Sequence, residues 1–155
     1  MKKAILALLF LLPILLSAQG LTGKIIRVSD GDTVVLLDSD NNQHKIRLYG
    51  IDAPESKQAY GTKSKQYLSS MIAGKTVTVE YTKTDQYKRI LGTIFYQGKN
   101  INEEMVRSGY VWRYYYNKNK RLLWLQKVAK ENKRGLWADK NAIDPYHFRK
   151  SKKKH

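Results

Sequence analysis

The chain reads as an α+β protein: a β-barrel with helices, specifically a five-stranded OB-fold barrel with one helix after strand 3 and two helices after strand 5. Three observations predict this. Two polar turns, Asp30-Gly31-Asp32 and Asp38-Ser39-Asp40-Asn41-Asn42, divide three β-branched runs into a meander. One stretch of helical periodicity then separates this meander from two further strands. Two more helical stripes follow the last strand. With 155 residues the chain has room for one domain and an ordinary core.

The first residues stand apart. Lys2 and Lys3 precede an apolar run from Ala4 to Leu16, and Ser17-Ala18-Gln19 supplies small residues and an exit. This is the layout of a secretory signal peptide, residues 1–18, too short and too poorly flanked for a spanning helix. The expected mature protein is secreted or periplasmic, monomeric and without a membrane span. Its domain covers residues 19–137, and a basic tail, 138–155, is expected to be disordered. No cysteine is present, which excludes disulfides and thiolate metal sites. Loss of Lys2 and Lys3 takes the formal charge from +16 to +14, a field that attracts polyanions. Nucleic acid, anionic lipid and acidic wall polymers all answer to that description.

The elements follow in order. Gly23–Val28 and Thr33–Leu37 flank the Asp-Gly turn, and the acidic 38–40 cluster reads as a solvated turn leading into Lys45–Ile51. Tyr60, Ser64, Tyr67, Leu68, Met71 and Ile72 share a helical face, with Gly74 where a C′ glycine belongs. Thr76–Tyr81 alternates as a fourth strand and Ile90–Tyr96 as a fifth. Asn102 is placed to cap a short helix with Glu103 and Glu104 in its first turn, ended by Gly109. After the aromatic run Tyr110–Tyr116, a last helix starts near Asn119 with Leu122, Leu125, Val128 and Ala129 on one stripe. Gly135 stops it, and Leu136-Trp137 are expected to fold back onto the core.

Carboxylates and arginines gather at strand ends. Asp32 follows a turn glycine and Asp52 closes a strand, so a meander can bring both to one cation. Oxygen-only ligation suits calcium or magnesium rather than zinc. Either aspartate alone could equally be making an Asx turn. Arg47 and Arg89 each carry a fork that matches phosphoryl oxygens, or alternatively a surface pair with Glu80 or Asp85. Glu55, just past Pro54, can accept a proton from water, or be an exposed loop glutamate.

Taken together, these segments resemble one family. The run from Gly23 to Trp137 is similar to a thermonuclease-type (staphylococcal nuclease family) domain. The resemblance rests on Ser29-Asp30-Gly31-Asp32-Thr33, Arg47-Leu48-Tyr49-Gly50-Ile51-Asp52-Ala53-Pro54-Glu55, Gln58-Ala59-Tyr60-Gly61 and Asp85-Gln86-Tyr87-Lys88-Arg89. It continues in the Asn102–Gly109 segment and Gly135-Leu136-Trp137, and Pro145–Lys150 is similar to the ending of many bacterial members. The resemblance implies an OB-fold, calcium-dependent endonuclease acting on DNA and RNA and leaving 3′-phosphate ends. It implies calcium binding by Asp32, Asp52 and the Ala53 carbonyl, with Asp30 in support. It implies water activation by Glu55, phosphate clamping by Arg47 and Arg89, and substrate contacts from Tyr87, Lys88 and Tyr114. The chain departs from the family's Asp-Lys-Tyr-Gly-Arg turn: Gln86 replaces the basic residue and Lys88 the glycine, so Lys88 is expected to accept a positive φ. The competing reading is a catalytically silent OB-fold module that binds nucleic acid through charge; a third is a cationic envelope protein acting through its Lys-rich tail.

Overall fold

A computed structural model describes residues 19–153; the signal-peptide expectation, residues 1–18, lies outside them. Five strands form the barrel: β1 (Gln19–Asp30), β2 (Thr33–Leu37), β3 (Gln43–Leu48), β5 (Thr76–Thr84) and β6 (Ile90–Tyr96). The meander β3-β2-β1 pairs antiparallel, β1 pairs β5, and β5 pairs β6. A parallel pairing of β6 with β3, Ile46↔Ile90 to Leu48↔Gly92, closes the ring. The OB-fold expectation therefore holds. The strand alternation delivers Ile25, Val34, Leu36, Ile46, Leu48, Val79 and Ile94 to the interior, each at most 1% exposed. Full burial of each such side chain contributes about 1.5–3 kcal/mol.

Helix α1 (Gly61–Ile72) caps the barrel with Leu68 and Ile72 fully buried, and Gly74 takes φ 72° just past its end. Helices α2 (Ile101–Arg107) and α3 (Lys120–Glu131) follow β6 and the short β7 (Lys99–Asn100). Asn119 caps α3 by accepting from the N–H groups of Arg121 and Leu122. Leu136 returns to the core, and Trp137 packs edge-on against Trp112 at 4.2 Å. Gly109 and Gly135 make that return feasible. Each has positive φ, and a Cβ on either would run into the other segment's backbone. No helix among the described residues is long and apolar enough to cross a membrane.

Three expectations need correction. The third strand does not run to Ile51: it ends at Leu48, Gly50 turns with φ 79°, and Ile51–Asp52 forms a separate short strand, β4. β4 pairs with β8 (Trp112–Arg113), so Asp52 is set by a segment sixty residues away along the chain, Asp52↔Trp112. Second, Asn100 and not Asn102 caps α2, accepting from Glu103 N–H at 3.0 Å. Asn102 is instead buried: its Oδ1 accepts from Ile94 N–H at 3.1 Å and its Nδ2 donates to the carbonyls of Tyr49 and Gly92 at 3.0 Å. Third, the tail is ordered through Lys153. Its helix α4 (Pro145–Lys152) has Asp144 as N-cap and a buried Pro145 in its first turn.

Asn102 stitches β6 to the turn that launches β4. Asn102→Ala leaves a buried N–H and carbonyl without partners, and a loss of about 2–3 kcal/mol is expected, read as a lowered urea midpoint at unchanged slope. An unchanged midpoint would show that the stitch carries no load.

Candidate active site

An open cleft of about 850 Å³ lies at one rim of the barrel, lined among others by Asp32, Arg47, Asp52, Glu55, Arg89 and Arg149. The Asp30-Gly31-Asp32 turn forms its floor. Gly31 is required there, because a Cβ would collide with the Ser64 hydroxyl and Ala53. Asp30 accepts from Asp32 N–H at 3.1 Å, which is an Asx turn, so Asp32 is free of that role. Asp32 is buried; its Oδ2 accepts from Ala53 N–H at 2.6 Å and its Oδ1 from the Thr33 hydroxyl at 3.0 Å.

Arg47 joins the two halves of the cleft. Its Nη1 donates to the carbonyls of Leu48 (2.9 Å) and Ile51 (2.8 Å), fixing the guanidinium across the Gly50 turn. Its Nη2 lies 3.0 Å from Asp32 Oδ2 and 3.1 Å from Asp52 Oδ1. The two carboxylates thus share one nitrogen. Asp52 is only 3% exposed. Burial pushes its carboxyl up, against the pull of Arg149 and Arg47.

Arg89 stands on another wall. It follows the surface-pair reading, with Nε 2.8 Å from Asp85 Oδ2. Asp85 Oδ1 also accepts from the N–H groups of Tyr87 and Arg89, so one carboxylate organises the whole turn. Lys88 adopts φ 59°, the positive value expected where the family carries glycine. Its side chain is exposed and does not line the cleft, whereas Gln86 and Tyr87 do. Tyr87 is 70% exposed beneath the Arg89 guanidinium, which sits 5.4 Å from the ring centre. Tyr114 also lines the cleft, tied by its N–H to the Gly50 carbonyl at 2.8 Å. Glu55 reaches in from a loop pinned by Gly61, whose missing Cβ admits the Glu55 carbonyl.

Arg149 of α4 completes the cleft. Its Nη1 and Nη2 lie 3.2 and 2.9 Å from the two Asp52 oxygens, and Nη1 lies 2.8 Å from Glu55 Oε1. Sequence reasoning missed this residue by treating the tail as disordered. The signal was present in Asp144-Pro145, a capping residue followed by proline at the first helical position.

The donor set contains only oxygens, which fits a hard cation held by two carboxylates, a carbonyl and waters. No cluster of three or more His, Cys, Asp or Glu side chains arranged to hold a metal occurs among the described residues.

Residues 45–139 match the family model described as staphylococcal nuclease homologue. The chain belongs to the staphylococcal nuclease homologue family. It is 43% identical to an uncharacterized endonuclease of Escherichia coli, over 98% of this chain and 100% of the relative. It is 36% identical to a micrococcal nuclease of Shigella flexneri, over 84% and 82%. A staphylococcal-like nuclease of Arabidopsis thaliana is 38% identical over 70% of this chain but 34% of its own length. In this family member the cleft combines the motif residues with a helix, α4, that lies outside the matched segment.

Burial, reinforced by the charge of Asp32, raises the Asp30 carboxyl from 3.8 to about 6. The folded state then holds this proton more tightly than the unfolded chain. Stability linked to Asp30 is full below the unfolded value and is lost as pH rises through about 6. Asp30→Asn keeps an acceptor for Asp32 N–H. In chelator it is expected to raise stability at about pH 7 by on the order of 1 kcal/mol and to change little at about pH 4. Urea unfolding at both pH values checks this, and an equal effect at both would contradict it.

Proposed function

We propose that the protein is a calcium-dependent nuclease that hydrolyses phosphodiester bonds of DNA and RNA and leaves 3′-phosphate ends, acting outside the cytoplasm, secreted or periplasmic, as a monomer. The observation that carries this reading is the convergence of Asp32, Asp52, Glu55 and Arg47 in one open cleft, with Arg89 on its wall. Location rests on the signal-type pattern of residues 1–18. The relatives named as nucleases support the activity, and the oxygen-only donor set supports the choice of cation.

Asp32, Asp52 and the carbonyl of Ala53 are the residues that would hold calcium. Bound there, the ion would supply Lewis-acid charge to a phosphoryl oxygen and lower the pKa of a water. Glu55, part-exposed at the cleft mouth, accepts the proton of the attacking water. As that oxygen bonds to phosphorus, the bond to the 5′ oxygen breaks, and the leaving oxygen takes a proton from solvent. Arg47 and Arg89 hold the phosphoryl oxygens, where charge accumulates in the transition state, with donors that stay charged at any working pH. Tyr87 and Tyr114, exposed on the cleft wall, offer faces or hydroxyls to the flanking nucleotides. The formal charge of +16 on the full chain draws the polyanion in.

Digestion of plasmid DNA by the purified mature protein is expected with calcium and to stop in EGTA; binding that ignores the chelator, with no cleavage, would instead mark a silent nucleic-acid-binding module. Arg47→Lys and Arg89→Lys are each expected to lower turnover by about 10²-fold, because a point charge cannot replace the fork. Near-normal rates in either variant would remove that arginine from the phosphate site.

A further inference from the structure

Asp144 caps helix α4, and the helix is fastened beside the cleft by contacts that do not involve Arg149. Tyr146 stacks on Tyr115 with ring centres 4.7 Å apart and planes 11° apart, and its hydroxyl meets that of Tyr116 at 2.7 Å. The Gln58 side chain donates to the Ile143 carbonyl just ahead of the helix. The helix is thus docked independently, and its arginine is delivered into the cleft as a tip.

That tip occupies the lone pairs a cation needs. Asp52 Oδ1 accepts from both Arg47 and Arg149, and Oδ2 accepts from Arg149, which leaves the carboxylate little acceptor capacity. Charge points the same way. Among the groups in direct contact, three carboxylates (Asp32, Asp52, Glu55) face two guanidiniums (Arg47, Arg149), a net of one negative charge. A divalent ion turns this into one net positive charge, matched to one phosphodiester. The Arg149 side chain is 38% exposed, so it can leave Asp52 without unpacking the core.

We propose that Arg149 is the resident counter-ion of the carboxylate pair and a third phosphate-holding arginine. It neutralises Asp52 and Glu55 in the cation-free protein, gives up Asp52 when a divalent cation enters, and then turns its fork to the substrate phosphate. Cation and phosphate binding are thereby coupled through a residue of the C-terminal helix. This rests on the calcium reading above.

The test compares the full mature chain with its Arg149→Gln variant by calorimetry. With calcium alone and no nucleotide, the variant is expected to bind about three- to tenfold more tightly, the size of a charge-assisted pair discounted for its exposure. With calcium saturating, the variant is expected to bind a deoxynucleoside 3′-phosphate about tenfold more weakly. Damage to the site would weaken both affinities, so opposite movement is the signature of exchange. Tyr146→Ala, which loosens the helix while keeping Arg149, should shift calcium affinity in the same direction as Arg149→Gln. Equal or weaker calcium binding by Arg149→Gln, or unchanged nucleotide binding, overturns the exchange while leaving the calcium reading intact. Absence of calcium binding by both proteins overturns the two together.

Discussion

Everything at the barrel rim depends on the Arg47 guanidinium. Four short contacts tie it to the carbonyls of Leu48 and Ile51 and to the carboxylates of Asp32 and Asp52. These belong to three separate pieces of chain, the β1–β2 turn, the end of β3 and the short β4. Two carboxylates this close and this buried would repel one another and pay a large desolvation cost if left alone. A single planar, permanently charged fork answers both problems, because its donors are spaced for oxygens and it cannot deprotonate. Arginine at position 47 therefore builds the site as well as serving it.

The rest of the frame acts by holding that arginine's partners still. Asp32 O accepts from Leu48 N–H at 2.8 Å, and Tyr49 N–H donates to Gly92 O at 2.8 Å, so the strand that carries Arg47 is anchored on both sides. Asn102 adds a side-chain bond to the Tyr49 carbonyl from α2. Pairing of β4 with β8 then sets Asp52, and the 3₁₀ turn at Gly135–Ala138 backs β8 through Trp137 and Trp112. The path from core to cleft runs through backbone and buried amide bonds, the stiffest connections the fold offers.

Much of this was legible in the sequence, and the failures share one cause. Hairpin turns, strand alternation and helix faces are local, and the barrel, α1, the start of α3 near Asn119 and the return of Leu136 follow from them. Lys88 at positive φ was legible through the family resemblance, because the family carries glycine at that position, and in the structure Asp85 accepts from the N–H groups of Tyr87 and Arg89 on either side of it. Asn100 and Asn102 are two competent caps two residues apart, and only the position of the Tyr49 and Gly92 carbonyls decides which becomes the cap and which the buried bridge. The break in β3 after Leu48 likewise needs β8 as a partner before Ile51–Asp52 can leave the barrel. Arg149 meets Asp52 across a separation of 97 residues. No local rule reaches that far, although the helix that carries it announces its start with Asp144-Pro145.

The cleft is therefore asymmetric in stiffness. Asp32 and Asp52 are buried and Arg47 is half-buried, and all three are multiply bonded, while Arg89, Tyr87, Glu55 and Arg149 stand on exposed turns, a loop and a terminal helix held by few bonds each. Such a division suits a polyanion whose backbone geometry varies from one phosphate to the next. The carboxylate pair needs one geometry for a hard cation. The groups that meet phosphate oxygens and bases need charge and reach, and small adjustments of long side chains cost little at the surface. Placing the adjustable arginines on outer elements keeps their motion from loosening Asp32, because the bonds that fix Asp32 and tie Arg47 to the Leu48 and Ile51 carbonyls run back into the barrel and none of them passes through the Arg89 turn or α4.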